Sequence, residues 1–274
     1  MKAEGIALVT GASRGIGRAL ALELAAAGFE VVATMRDPRA GLGLPGEAER
    51  RGGRLQVAAL DVTRPQTIDI PAGLRLLVNN AGIEGEHHPV ESTPPEVWRE
   101  LVETNLLGVV AVTTRAIPRL RASGGGVICN ITSASLLAPM PFFAPYRATK
   151  AAVSALGESL RAELAAFGIR VIEIVPGPVD TDMYQQSERP LDALEDMAYR
   201  PLAERVTRLR ASSASHPVPA AEAARAIVGA VLEDDGPLRH GCDPLGDALL
   251  AHWRTVSDED MMRSMLDGML AAMR

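Results

Sequence analysis

Aromatic side chains are scarce: Phe, Trp and Tyr make up 3% of the 274 residues. The interior must therefore come from aliphatic residues, and the 47% apolar content, mostly Ala, Val and Leu, is ample for it. Such a core suits helices laid on a parallel sheet. Cysteine is almost absent. Cys129 and Cys242 exclude a disulfide scaffold, fit a reduced compartment, and have no metal-ligand spacing. Long apolar runs are missing too, so no membrane-spanning helix is expected. There is no excess of positive charge. A net charge of −6 argues against a nucleic-acid surface. The opening "MKAEGIALVTGAS" has too short an apolar run for a signal peptide. These absences predict a soluble, cytoplasmic protein.

What is present alternates. "GIALVTG" (5–11), "FEVVATM" (29–35), "RLQVAALDV" (54–62), "LRLLVNNAG" (74–82), "GGVICNITSAS" (125–135) and "IRVIEIVPG" (169–177) read as buried strands. Helical patterns over 17–28, 93–120 and 146–168 lie between them, two of them closed by glycine. A further helix is expected over 220–233, and the 246–274 tail is amphipathic and rich in methionine. The stretch 37–53 predicts only a short helix, and 62–79 leaves room for only a truncated helix or a loop. From 185 to 216 the pattern is irregular. No repeat or linker divides the chain. The alternation predicts an α/β fold of the Rossmann type: one domain, a doubly wound parallel sheet, three layers.

Polar and glycine-rich residues gather at the predicted carboxyl ends of the strands, where open sheets bind ligands. "TGASRGIG" (10–17) joins the first strand to the first helix. Glycines 11, 15 and 17 permit a tight turn and close approach of a diphosphate to the helix N-terminus. The spacing G-x-x-x-G-x-G departs from the commoner G-x-G-x-x-G. "MRD" (35–37), "DV" (61–62), "NNAG" (79–82), "TSAS" (132–135) and "PGPVDT" (176–181) mark the other strand ends.

In "PFFAPYRATKAAV" (141–153), Tyr146 and Lys150 are four apart and share a helix face. An ammonium beside a phenol favours phenolate, so Lys150 is expected to lower the Tyr146 pKa toward neutral, where a general acid–base works. Taken singly, each residue has a plain alternative. Ser133 fits a cap, Asn105 a satisfied polar residue in a helix, and Tyr146 with Lys150 a surface pair.

The ordered set "TGASRGIG", "NNAG", Asn105 in "ETNLLG", Ser133, "YRATK" and "PGPVDT" resembles the short-chain dehydrogenase/reductase family over about residues 5–183. The resemblance implies that Tyr146 donates or accepts the proton. Lys150 then binds the nicotinamide ribose, Ser133 polarises the carbonyl, and Asn105 holds a water leading to Lys150. Ser135 has the wrong spacing for the serine role. It implies cofactor contacts from Gly11, Ser13, Arg14, Gly15, Ile16 and Gly17 in the first turn, Arg36 after the second strand, and Asp61 and Val62 at the adenine. Asn80, Ala81 and Gly82 fall along the adenosine, and Pro176, Gly177, Val179 and Thr181 near the nicotinamide, which Tyr146 and Lys150 also meet.

Met35 occupies the slot where NAD-preferring members carry an acid. Arg36 and Arg14 therefore favour NADP(H) over NAD(H), with Asp37 read as a turn cap before Pro38. Residues 183–215 are expected to form a lid. "LLAPMPFFAP" (136–145) with Met183, Tyr184, Leu191, Leu194 and Met197 either walls an apolar pocket or simply packs that lid. The first reading predicts a small hydrophobic carbonyl or alcohol substrate, and "TMRDP" with the long lid and tail resembles the steroid- and retinol-active branch. Adjacent His87 and His88 lack a third ligand, so no metal is expected, and both are placed on a loop near the cofactor mouth. The methionines at 261, 262, 265 and 269 read as tail packing or an oligomer contact. The resemblance also implies a homodimer or homotetramer through the helices at 93–120 and 146–168. Two rival functions share the fold: an epimerase or dehalogenase, and a nucleotide-sensing protein without turnover.

Overall fold

A computed structural model describes residues 1–212 and 216–270. Its centre is a parallel sheet of seven strands: β1 (Ile6–Val9), β2 (Glu30–Met35), β3 (Arg54–Ala59), β4 (Leu74–Asn79), β5 (Gly126–Ile131), β6 (Ile169–Ile174) and the edge strand β9 (Arg239–His240). Their order is β3-β2-β1-β4-β5-β6-β9. The chain leaves β1 toward β2 and β3, then returns to place β4 on the other side of β1. That reversal opens a crevice at the carboxyl ends of β1 and β4. A separate pair, β7 (Val179–Asp180) and β8 (Val218–Pro219), ties the end of β6 to the later chain.

The strands are apolar on both faces because helices cover both. Ala7, Val9, Val31, Ala33, Cys129 and Ile172 pack with residues of α1 (Gly15–Ala27), α2 (Leu44–Arg50) and α8 (Ala220–Leu232). Leu8, Leu77, Ile128 and Val171 pack on the opposite face with Val112, Ala116 and Leu120 of α4 (Gly108–Ala122) and Leu160 and Leu164 of α5 (Ala144–Leu164). Each fully buried leucine contributes roughly 1.5–3 kcal/mol to holding these layers together.

Three expectations change in detail. The helix expected over 93–120 is α3 (Pro95–Leu101), a π-helical turn (Val102–Leu107) and α4, so Asn105 sits where the helix widens. The stretch read as irregular, 185–216, holds the end of α6 (Asp182–Ser187) and all of α7 (Arg200–Ser212); residues 213–215 lie outside the described residues. In α7 the apolar residues at 202, 203 and 206 form a helical stripe, hidden in the sequence by the surrounding arginines. Strand β9 is only two residues long and carries no strand pattern. The tail forms α9 (Pro244–Trp253) and α10 (Asp258–Leu270); residues 271–274 lie outside the described residues. Of its methionine stripe, Met269 is buried and Met262 exposed. As expected, 62–79 has only a single 3₁₀ turn (Pro65–Thr67) before β4. No helix among the described residues is long and apolar enough to cross a membrane.

Candidate active site

The glycine turn lies at the end of β1, against the end of β4. Gly11 has φ +67, and a Cβ there would stand 2.8 Å from the Ala81 Cα. At Gly17 a Cβ would stand 2.3 Å from Asn80 Nδ2 and 2.5 Å from the Gly11 carbonyl oxygen. Only glycine fits either place, so the turn presses flat on β4 and leaves the N-terminus of α1 open to the crevice. Asn80 Nδ2 donates to the carbonyls of Thr10 (2.9 Å) and Gly11 (3.1 Å), while Thr10 Oγ1 accepts from the backbone N–H groups of Asn80 and Ala81. The Asn80 side chain therefore braces the turn. A Gly17→Ala variant is expected to lose roughly 1–3 kcal/mol of stability through overpacking, read as a lower urea midpoint with an unchanged slope.

The crevice widens into a cleft of about 720 Å³. Every site position named from the sequence borders it except Asn105. At the β2 end, Met35 is buried and Arg36 is exposed on the rim. Asp37 accepts from the Arg39 backbone N–H at 3.0 Å and pairs with its guanidinium, so it caps the following turn. These Arg39 contacts hold the Asp37 carboxyl below the usual range. Arg14 pairs with Asp182 across the cleft at 3.1 Å, both side chains being more than half exposed. Burial pushes the Asp61 carboxyl up, but hydrogen bonds from Thr63 and the charges of Arg64 and Arg36 outweigh it, and its pKa is lowered.

The opposite wall carries Ser133, Tyr146 and Lys150. Ser133 follows β5 and Tyr146 lies in the first turn of α5. Both side chains border the cleft, and Ser133 stands close enough to Tyr146 to favour its ionised form. Lys150 is buried, donates to the Ile131 carbonyl at 3.0 Å, and holds its Nζ 5.6 Å from the Tyr146 ring centroid. The expected lowering of the tyrosine pKa is reversed. Burial drives Tyr146 well above the usual phenol range, the Glu84 carboxylate raises it further, and the nearby Ser133 hydroxyl offsets only part. Burial likewise pushes Lys150 down to about 8, against the opposing charges of Glu84 and Glu173. Desolvation outweighs the attraction between the pair, and Tyr146 is held as the neutral phenol.

A glycine cradle at the switch point and a Ser–Tyr–Lys wall across one cleft frame the comparison with known proteins. The family model described as short chain dehydrogenase matches residues 5–192, more than half of the chain. The chain belongs to the short-chain dehydrogenase family. It is 39% identical over 191 residues to the uncharacterized oxidoreductase YusZ of Bacillus subtilis, covering 66% of this chain and 68% of that protein. It is 38% identical to estradiol 17-beta-dehydrogenase 2 of Rattus norvegicus, over 64% of this chain and 48% of the rat protein, so it spans about half of that relative's length. Among solved structures, a short chain dehydrogenase from Burkholderia cenocepacia in complex with NADP superposes with TM-score 0.74 at 26% identity, covering 97% of this chain and 99% of that one. A short-chain dehydrogenase from Sphingobium yanoikuyae in complex with NADPH gives TM-score 0.72 at 27% identity, covering 95% and 94%.

Several side chains support the wall of this short-chain dehydrogenase, and of these Glu173 and Asp243 carry no signal in its sequence. Asn105 lies behind the wall: its Oδ1 accepts from the Ile83 N–H at 2.9 Å, and its Nδ2 donates to the Ile83 carbonyl (2.9 Å) and Thr149 Oγ1 (3.2 Å). Glu173, 1% exposed on β6, accepts from Thr132 Oγ1 and Ser154 Oγ, both at 2.8 Å, and pairs with Arg239 Nε at 3.0 Å. It thereby locks the residue before Ser133 and the turn of α5 after Lys150 to edge strand β9. Asp243 caps α9 through the Gly246 N–H and accepts from the Gly177 N–H at 2.6 Å, fixing the turn after β6. Thr181 caps α6 through the Tyr184 N–H at 3.2 Å.

The segment expected to form a lid departs most from expectation. Phe142, Phe143, Leu191, Ala193, Ala203 and Val206 form their own buried cluster, with Met140 and Leu194 against it. Leu137 packs instead with Leu250. Within 136–145 only Phe143 borders the cleft, so this segment chiefly packs the lid. Met183 and Tyr184 do face the cleft, whereas Met197 is 83% exposed. His87 is not at the mouth: it is buried, its ring 4.0 Å from that of Phe143, with Nε2 2.8 Å from Glu84 Oε1. Among the described residues no cluster of three or more metal-ligating side chains occurs.

Proposed function

We propose that this short-chain dehydrogenase is an NADP(H)-dependent oxidoreductase acting on a carbonyl or secondary alcohol, with Tyr146 as its general acid–base. The observation that carries the reading is that Ser133, Tyr146 and Lys150 face the same cleft as the glycine cradle. The cradle supports a dinucleotide, because a Cβ at Gly11 or Gly17 would fill the space where the turn meets β4. When bound, the nicotinamide supplies or accepts the hydride. Ser133 orients the substrate oxygen. Tyr146, held neutral by burial, gives its proton to that oxygen in the reductive direction. Lys150, with a pKa of about 8, is mostly charged at neutral pH and favours the phenolate that Tyr146 then becomes. A Cβ at Gly82 would lie 3.3 Å from Asn105 Oδ1 and 3.5 Å from Lys150 Nζ. The bare glycine thus keeps open the space between them, and we assign a proton path to it.

Arg36 supports the preference for NADP(H). It stands on the rim with no hydrogen bond or ion pair of its own among the described residues, next to a buried methionine where a ribose-binding acid would stand. Arg14 is the second cation, shared with Asp182. The Burkholderia and Sphingobium neighbours, solved with NADP and NADPH, are consistent with this. The substrate side combines Phe143, Met183 and Tyr184, which supports an apolar substrate body like that of the rat estradiol relative. We assign the outer surface of α4 and α5, with exposed Val110 of α4, to homo-oligomer pairing. Fluorescence titration tests the cofactor assignment. NADPH is expected to bind about tenfold or more tighter than NADH, and Arg36→Ala to remove about tenfold of the NADPH affinity while changing NADH less than about threefold. Equal binding of both by the unaltered protein overturns the arginine assignment.

A further inference from the structure

The substrate side of the cleft is not uniformly apolar. Glu84 borders it with a side chain only 9% exposed, close enough to Tyr146 and Lys150 to act on both through its charge. The only hydrogen bond to its carboxylate among the described residues comes from His87 Nε2, at Oε1 and 2.8 Å. His87 Nδ1 is buried without a partner. A proton on that nitrogen would be a buried, unpaired donor, so the geometry favours the tautomer that donates from Nε2 to Glu84.

The pair is held from several directions. Asn105 clamps both backbone polar groups of Ile83, the residue before Glu84. The lid grips the following residues: Arg189 donates to the Gly85 carbonyl (3.0 Å), Asp192 Oδ2 accepts from the His87 N–H (2.7 Å), and the Ala193 N–H donates to the His87 carbonyl (3.1 Å). Phe143 covers the imidazole, and His87 itself lies outside the cleft lining. A carboxylate fixed at the cleft wall with one oxygen occupied by a buried histidine presents its other lone pairs to whatever enters. A buried carboxylate of this kind favours a ligand that donates a hydrogen bond, and rejects an apolar group that leaves it unpaired. Lys150 already supplies a positive charge nearby, so a neutral hydroxyl suits the site better than a second cation.

We propose that Glu84 is a specificity-determining residue that accepts a hydrogen bond from a second hydroxyl group on the substrate, and that His87 is the positioning residue that holds the carboxylate. The substrate class is then an apolar ring or chain carrying one hydroxyl besides the reacting one. This rests on the oxidoreductase reading above.

The test is oxidation of cyclohexanol and of the 1,2-, 1,3- and 1,4-cyclohexanediols with NADP⁺ by the full chain, with NADPH binding measured separately by fluorescence. A charged hydrogen bond in a desolvated site predicts that at least one diol exceeds cyclohexanol by about tenfold or more in kcat/KM, chiefly through KM. In Glu84→Met that ratio falls to within about threefold of unity, and in the isosteric Glu84→Gln it falls by at least about threefold, which answers the question even if the methionine variant folds poorly. His87→Phe is expected to lower the ratio in the same direction with NADPH affinity unchanged. A ratio near unity for every diol in the unaltered protein overturns the assignment of Glu84. So does a ratio that survives in Glu84→Gln while both alcohols slow together, since that marks a merely structural role. A chain that binds NADPH yet oxidises none of these alcohols and reduces no ketone overturns the oxidoreductase reading, and this assignment with it.

Discussion

A Tyr146→Phe variant is expected to lose about 10²–10⁴-fold in kcat/KM for carbonyl reduction while still binding NADPH. The substitution removes one oxygen from a ring that is 9% exposed and leaves the packing of α5 intact. Ser133 keeps the Ser135 backbone N–H, donated to its Oγ at 3.2 Å, so the strand end is not released. What disappears is the proton. In the ligand-free cleft burial and Glu84 hold that proton on the phenol, so the loss should be greatest in the reductive direction, where Tyr146 is the donor. Steady-state rates with a ketone panel, set beside NADPH titrations of both proteins, read the effect. Rates within about threefold of the unaltered protein remove Tyr146 from the chemistry.

Lys150→Met is expected to abolish activity to a similar degree and yet to stabilise the fold at neutral pH. Depression of the ammonium from 10.5 to about 8 corresponds to a charging cost of roughly 3 kcal/mol in the folded state. The lost hydrogen bond to the Ile131 carbonyl returns about 1 kcal/mol of that. The net gain of about 2 kcal/mol translates to a thermal midpoint higher by roughly 4–8 °C at pH 7. The sign follows from proton binding. Between about pH 8 and 10.5 the unfolded chain holds more protons at this site than the folded one. The unaltered protein therefore gains stability from Lys150 as pH rises through that window and loses it as pH falls through about 8. Above the window the charging cost vanishes, and the hydrogen bond to Ile131 leaves the unaltered protein ahead by about 1 kcal/mol. Lys2 and Lys150 are the only lysines in the chain. With lysine labelled at the ε-carbon, NMR therefore resolves the Lys150 titration against a single exposed reference. A Lys150 midpoint near 10.5, or a methionine variant less stable at pH 7, contradicts the desolvation argument.

The glycine turn and the strand ends that line the cleft were legible because they are built from local signals. A glycine turn between a strand and a helix, and polar residues at strand ends, are each read within about ten residues of sequence. The sheet was legible for the same reason, except β9, whose two residues have no period to detect. The wall around Tyr146 was not, because the contacts that build it act across the chain. Glu84 is one acid after "NNAGI", and its meaning comes from His87, Phe143 and Tyr146. Glu173 interrupts an apolar strand, and only the folded chain brings it Thr132, Ser154 and Arg239. Asp243 stands sixty-six residues beyond the Gly177 it holds. The Tyr146–Lys150 spacing was correctly read as one helix face, but spacing says nothing of desolvation, which reversed the expected shift.

The most direct test of the central claim is isotopic. NADPH carrying deuterium at both nicotinamide C4 positions is incubated with the protein and a ketone panel, and the alcohols formed are analysed by mass spectrometry. The account predicts deuterium on the carbinol carbon of at least one product, and none above background with Tyr146→Phe. Tight NADPH binding with no labelled alcohol from any ketone would contradict it.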